Sequence, residues 1–127
     1  MNRVLILLLI ASAATLSVAQ AQDKHGDSHT PKYGGVVVET KAGDLELVAK
    51  PDLIQLFPSD HGKPMKVTSA SGKVTVFSGK DKTEAPLGLA GDRLEAKGNF
   101  KVSAGTKVLA EVVLNGKPAV SARFTLK

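Results

Sequence analysis

Residues 107–127 read KVLAEVVLNGKPAVSARFTLK. In the first run Val108, Ala110, Val112 and Leu114 share one face. In the last, Val120, Ala122, Phe124 and Leu126 alternate with Ser121, Arg123, Thr125 and Lys127. A period of two marks a half-buried antiparallel strand. Asn115-Gly116 joins the two runs, and Asn-Gly between apolar alternations is a strong hairpin signal. Both central residues of a type I′ turn need positive φ, which these two residue types tolerate. Pro118 opens the second run, where a missing N–H does no harm.

The same pattern extends backwards along the chain. In DLELVAK (44–50) Leu45, Leu47 and Ala49 point one way, which places Asp44 and Glu46 together on a solvent face. Val74 and Val76 alternate with Lys73, Thr75 and Phe77, and Leu94 and Ala96 alternate with Arg93, Glu95 and Lys97. Turn signals separate the runs at Ala42-Gly43-Asp44, Asp60-His61-Gly62, Ser71-Gly72, Ser78-Gly79 and Ala90-Gly91-Asp92. HGKP at 61–64 repeats the chemistry of NGKP at 115–118, which predicts two turns of one kind. Candidate strands cover 35–40, 44–50, 53–58, 65–70, 73–78, 82–87, 93–102, 107–114 and 118–127, some of them merging or dropping out. No stretch has a 3.6 period. The expected fold is all-β, a small Ig-like antiparallel β-sandwich of about seven or eight strands. A partly open barrel is the alternative. The core is drawn from Val, Leu and Ala with a few Phe.

Outside the strands, the N-terminus has a basic start at Asn2-Arg3, an apolar run from Val4 to Ile10, and Ala19-Gln20-Ala21. That is the pattern of a Sec-type signal peptide over 1–21. Ser12, Thr15 and Ser17 keep the run short of the ~20 apolar residues of a membrane span. Cleavage after Ala21 leaves 106 residues (127 less 21), the length of one domain. The expected division is a signal peptide at 1–21, a flexible histidine-containing segment at 22–33 and a β-sandwich domain at 34–127. The chain has no cysteine. That excludes a lipoprotein anchor and thiol chemistry, and it fits an exported bacterial protein of the periplasm better than a disulfide-dense secreted one. Loss of Arg3 leaves 16 Lys and Arg against 12 Asp and Glu, a net charge of +4. The lysines are scattered singly and the aromatics are not interleaved with them, so no nucleic-acid footprint is present.

Catalysis finds little support in the residues. Ser59, Asp60 and His61 are neighbours in one turn, whereas a triad needs three groups converging from separate elements. No phosphate-binding loop or nucleotide fingerprint occurs. The expectation is a protein that is not an enzyme.

Metal chemistry is the more promising class. DKHGDSHTPKYGG (23–35) carries His25 and His29 beside Asp23 and Asp27. Gly26 and Pro31 argue against a helix, so a metal would be held by a flexible segment that orders around it, at ~1–2 kcal/mol per residue. Imidazole and carboxylate suit Cu(II), Zn(II) or Ni(II). His61, in its turn, is a further candidate if the fold brings the segment near it. The opposing view is a solvated linker. Cleavage after Ala21 puts His25 fourth, so the amine-plus-amide Cu(II) site of a chain with histidine third is not formed.

The run GGVVVETKAGDLELVAKPDLIQLFPSDHGKPMKV (34–67), with GDRLEAKGNFKVSAGTKVLAEVVLNGKPAVSARFTLK (91–127), resembles small exported bacterial proteins associated with heavy-metal efflux systems of the resistance-nodulation-division type. Related stretches occur in the periplasmic adaptor subunits of those pumps. That group commonly has His-Gly-Gly where this chain has Tyr33-Gly34-Gly35, so the resemblance does not carry over a complete ligand set. It implies a metal-linked role in the cell; with the histidines read above, the expectation is a periplasmic accessory protein of metal handling that binds Cu(II) or Zn(II) through His25, His29 and His61, with an efflux component as partner. The chain is expected to be a monomer or weak dimer. The alternative is a β-sandwich interaction module of the envelope with no metal site.

The expected strands contain no histidine, so folding should not depend on metal. Far-UV circular dichroism of chelator-treated mature protein should give a β spectrum. A disordered spectrum restored by Zn(II) would contradict this reading.

Overall fold

The computed structural model describes residues 30–127. The signal peptide and residues 22–29 of the expected flexible segment lie outside the described residues. Nine strands form among the described residues: β1 (Val36–Thr40), β2 (Gly43–Ala49), β3 (Leu53–Asp60), β4 (Lys63–Pro64), β5 (Ala70–Ser78), β6 (Asp81–Ala90), β7 (Arg93–Lys97), β8 (Lys107–Leu114) and β9 (Val120–Thr125). Every pairing is antiparallel. Along the sheet the order is β1-β2-β3-β7-β6-β5-β8-β9, with β4 attached to the end of β3. β1 and β9, the two ends of this path, lie alongside one another, and no strand pairing joins them. The result is a nearly closed, barrel-like sheet.

The Ig-like sandwich of two separate sheets gives way here to the barrel alternative, and β6 is the reason. Its residues Asp81–Leu87 pair with β5, while Gly88–Ala90 pair with β7. One ten-residue strand therefore belongs to both halves and makes them continuous. Pro86, with no N–H to donate, stands just before the switch, where the strand is leaving one partner for another.

The alternation read from the sequence lines the interior. Leu45, Leu47, Ile54, Leu56, Val74, Val76, Leu94, Ala96, Val108, Ala110, Val112, Leu114, Ala122 and Phe124 are buried and form one cluster. Chain entropy opposes this assembly, and burying each large side chain offsets it by about 1.5–3 kcal/mol. β5 and β8 approach closely at Gly72, where a Cβ would sit 2.2 Å from the Glu111 carbonyl oxygen. Only glycine fits at that crossing.

Two expected strands are different in the structure. The run 93–102 stops at Lys97. Beyond it the N–H groups of Gly98 and Phe100 donate to the carbonyls of Asp52 and Pro51, at 3.2 and 2.7 Å, and the Phe100 ring joins the core. The run 65–70 does not form a strand. Its backbone is held by a side chain: the Thr68 and Ser69 N–H groups donate to Asn115 Oδ1 at 2.8 and 3.4 Å, and Asn115 Nδ2 donates to the Lys66 carbonyl at 3.0 Å. Asn115 and Gly116 have φ of 52° and 72°, and His61 and Gly62 have 50° and 80°. The two turns are thus of one kind, with both central residues left-handed.

Asn115→Ala removes the loop's acceptor and a residue suited to positive φ. Urea unfolding should show a loss of about 1–3 kcal/mol, with faster amide exchange confined first to residues 66–69. A loss within the ~0.5 kcal/mol of an ordinary surface substitution would refute the anchoring role.

Candidate functional site

The site begins with Glu46 at the middle of β2. Its register neighbours are Val37 on β1 and Phe57 on β3, so its side chain rises from the outer face of the sheet. Alternation placed Asp44 and Glu46 in solvent, but both are only 5% exposed. The outer face at Glu46 is covered by the segment Thr30–Gly35, which lies across it. The N–H of Lys32 donates to Glu46 Oε1 at 2.7 Å, and those of Tyr33 and Gly35 donate to Oε2 at 2.8 and 2.9 Å. Gly34, at φ +76°, turns the chain so that these N–H groups converge on one carboxylate. A buried carboxylate is costly when unpaired, and three charge-assisted bonds remove that cost.

The Tyr33 ring closes the arrangement. It stacks on Phe57 with centroids 4.0 Å apart and planes 17° from parallel. The ammonium of Lys32 reaches further and donates to the Gly62 carbonyl in the β3–β4 turn. The residues 30–33, the end of the segment expected to be flexible, are therefore tied down at three points. Between this strap and the sheet lies a cleft of about 30 Å³, bordered by Val37, Phe57, Ser59, Pro64 and Asp92. That is room for about one water, too little for an organic substrate.

His61 stands at the tip of the turn to which Lys32 is tied. Its side chain is 93% exposed, and its Nε2 lies 3.4 Å from Asp60 Oδ1. Asn115, in the matching turn, spends its side chain on the neighbouring loop; among the described residues the His61 imidazole has only Asp60 as an ion-pair partner. His25 and His29 lie outside the described residues. Among the described residues no three His, Asp or Glu side chains converge on a point that could hold a metal ion. His61 and Asp60 bring one imidazole and one carboxylate together, short of three such groups.

Compared with protein-family models, curated proteins and solved structures, the chain matches none.

Sequence reading missed Glu46 as an anchor and Tyr33 as its cover. The available signal was local: an aromatic followed by Gly-Gly directly ahead of β1, and a carboxylate between two core leucines of a strand with neighbours on both sides. Alternation reports which face a residue takes, not whether that face is later covered.

Glu46→Gln replaces one acceptor oxygen by an NH₂ that faces backbone donors. The strap should loosen while the barrel persists. Tyr33 is the chain's single tyrosine and there is no tryptophan, so intrinsic fluorescence reads this strap alone. The expected outcome is a changed Tyr33 emission, rapid exchange at the amides of 32, 33 and 35, and a stability loss of about 1–3 kcal/mol. Unchanged emission and protection would show that the carboxylate does not hold the strap.

Proposed function

We propose that this is a periplasmic accessory protein of heavy-metal handling or efflux, which binds one Cu(II) or Zn(II) ion weakly through His25 and His29 with His61 as a third ligand. The observation that carries the reading is the tie between Lys32 and Gly62. It fixes the strap beside the His61 turn. His29 is the residue before Thr30, so its Cα lies ~3.8 Å from that of Thr30. His25 is five residues from Thr30, within a reach of roughly 17 Å. Both tail histidines are therefore joined by a short length of chain to the strap that Lys32 ties to the His61 turn.

His61 itself supports the reading. It occupies a left-handed position that Asn or Gly takes at lower cost, and its imidazole is exposed beside a carboxylate. Neutral imidazole with carboxylate suits Cu(II) and Zn(II). Because residues 32–35 are already held, ordering is confined to the residues ahead of them. Affinity should be around micromolar, ~8 kcal/mol. A non-catalytic interaction module of the envelope, without a metal site, is the second reading, favoured by the exposed Phe77 on the other half of the barrel.

Calorimetric titration with Cu(II) and Zn(II) separates these. Wild type should bind one ion, the His25→Ala/His29→Ala double variant should lose binding, and His61→Ala should lose part of it. Cu(II) should quench Tyr33 emission in wild type and not in the double variant. Protonated imidazole cannot ligate, so binding should weaken as pH falls below ~6.5. Equal binding by wild type and double variant makes the tail a linker. No binding by a folded wild type leaves the interaction module.

A further inference from the structure

The outer face of β5, β8 and β9 is one that the metal reading does not use. Register sets out its rows. Thr125, Lys107, Phe77 and Lys82 form one, running across β9, β8, β5 and β6. Arg123, Leu109, Thr75 and Glu84 form the next. Phe77 is 41% exposed at the centre of its row, with a lysine on either side. A groove of about 460 Å³ runs beside it, bordered by Phe77, Lys107, Leu109, Arg123 and Thr125. Leaving an aromatic ring in water forfeits much of the stabilisation its burial would bring.

The charges around this groove are unequally committed. Glu84 is taken by Lys82 at 3.1 Å and Lys73 at 3.9 Å. The hydrogen bond from Lys82, with the charges of both lysines, holds its carboxyl below the usual range, so it stays ionised. Among the described residues Lys107 donates only to the hydroxyl of Thr125, at 2.8 Å. Arg123 has no carboxylate partner within the described residues. An apolar floor thus lies between two cations whose charge nothing in the barrel answers.

We propose that this groove is a docking surface for an acidic, extended protein segment that carries an apolar side chain next to a carboxylate. The apolar side chain packs on Phe77 and Leu109. The carboxylate meets the planar guanidinium of Arg123, whose fork of donors matches two oxygens, with Lys107 adding charge. A lipid surface is served worse, because insertion needs an apolar crest and here the apolar residues floor a groove between cations. The surface is independent of the histidines, so this inference and the metal reading fail separately.

The test is selection of a displayed random peptide library on the mature protein, with counter-selection on Arg123→Glu. Enriched sequences should place Asp or Glu beside Phe, Leu or Tyr. A synthetic copy of the enriched sequence should bind wild type and shift amides of β8 and β9. Arg123→Glu and Phe77→Ser should each weaken it about tenfold or more. Both positions face solvent, and circular dichroism with a retained cooperative urea transition shows that the variants remain folded. No enrichment, or peptides that bind Arg123→Glu as well as wild type, would overturn the proposal. So would binding to phosphatidylglycerol vesicles that depends on Phe77 and Lys107 while no peptide competes, which would assign the face to a lipid surface.

Discussion

β6 has to serve two partners, and the rest of the barrel follows from that. Its first seven residues complete a ladder with β5, and its last three take up β7. Had the strand ended at Leu87, β1-β2-β3-β7 and β6-β5-β8-β9 would be two sheets with four open edges. Sharing β6 leaves only β1 and β9 at the ends of one path, and those two lie side by side. Open edges invite pairing with other chains, so their reduction has a consequence for solubility as well as for stability. The inward rows of both halves then meet in a single core, with Phe100 and Phe124 supplying its aromatic bulk.

Within that frame, two turns of one backbone geometry do unlike work. Asn115 and His61 hold nearly the same left-handed φ. Asparagine's amide reaches sideways and satisfies three backbone groups of residues 66–69, which lets that connection stay irregular without orphaned donors. Among the described residues histidine reaches its neighbour Asp60, and its side chain stays exposed. The difference is between a turn residue used for structure and one left accessible. It is why the metal proposal rests on the His61 side chain and not on the geometry of its turn.

The outer surface divides in a similar way. On β2 a carboxylate is buried beneath a strap whose N–H groups it accepts, and the strap ends at the His61 turn. On β5, β8 and β9 an aromatic ring stays uncovered among cations, only some of which are paired. One face is closed by the chain's own segment. The other keeps Phe77 exposed. Metal handling and protein docking are compatible on such a molecule, because the two surfaces share no residue.

Much of the barrel was legible in the residues because strand alternation is a local property. Burial of Val108, Ala110, Val112 and Leu114, or of Leu45 and Leu47, needs only that one face meet a core. The Asn115-Gly116 turn and its His61-Gly62 counterpart were readable for the same reason, since positive φ is a demand on single residues. Whether two sheets or one ring would form was not local, because it depends on β6 changing partners midway. Nor was the end of the expected strand 93–102, where a tertiary place for Phe100 outcompeted extension. Glu46 is the clearest case. Its sequence neighbours assign it to the outer face, and only the strap, arriving from eleven to fourteen residues earlier, turns that face into an interior. Local periodicity determines which way a side chain points; what it meets there is decided by chain segments distant in sequence.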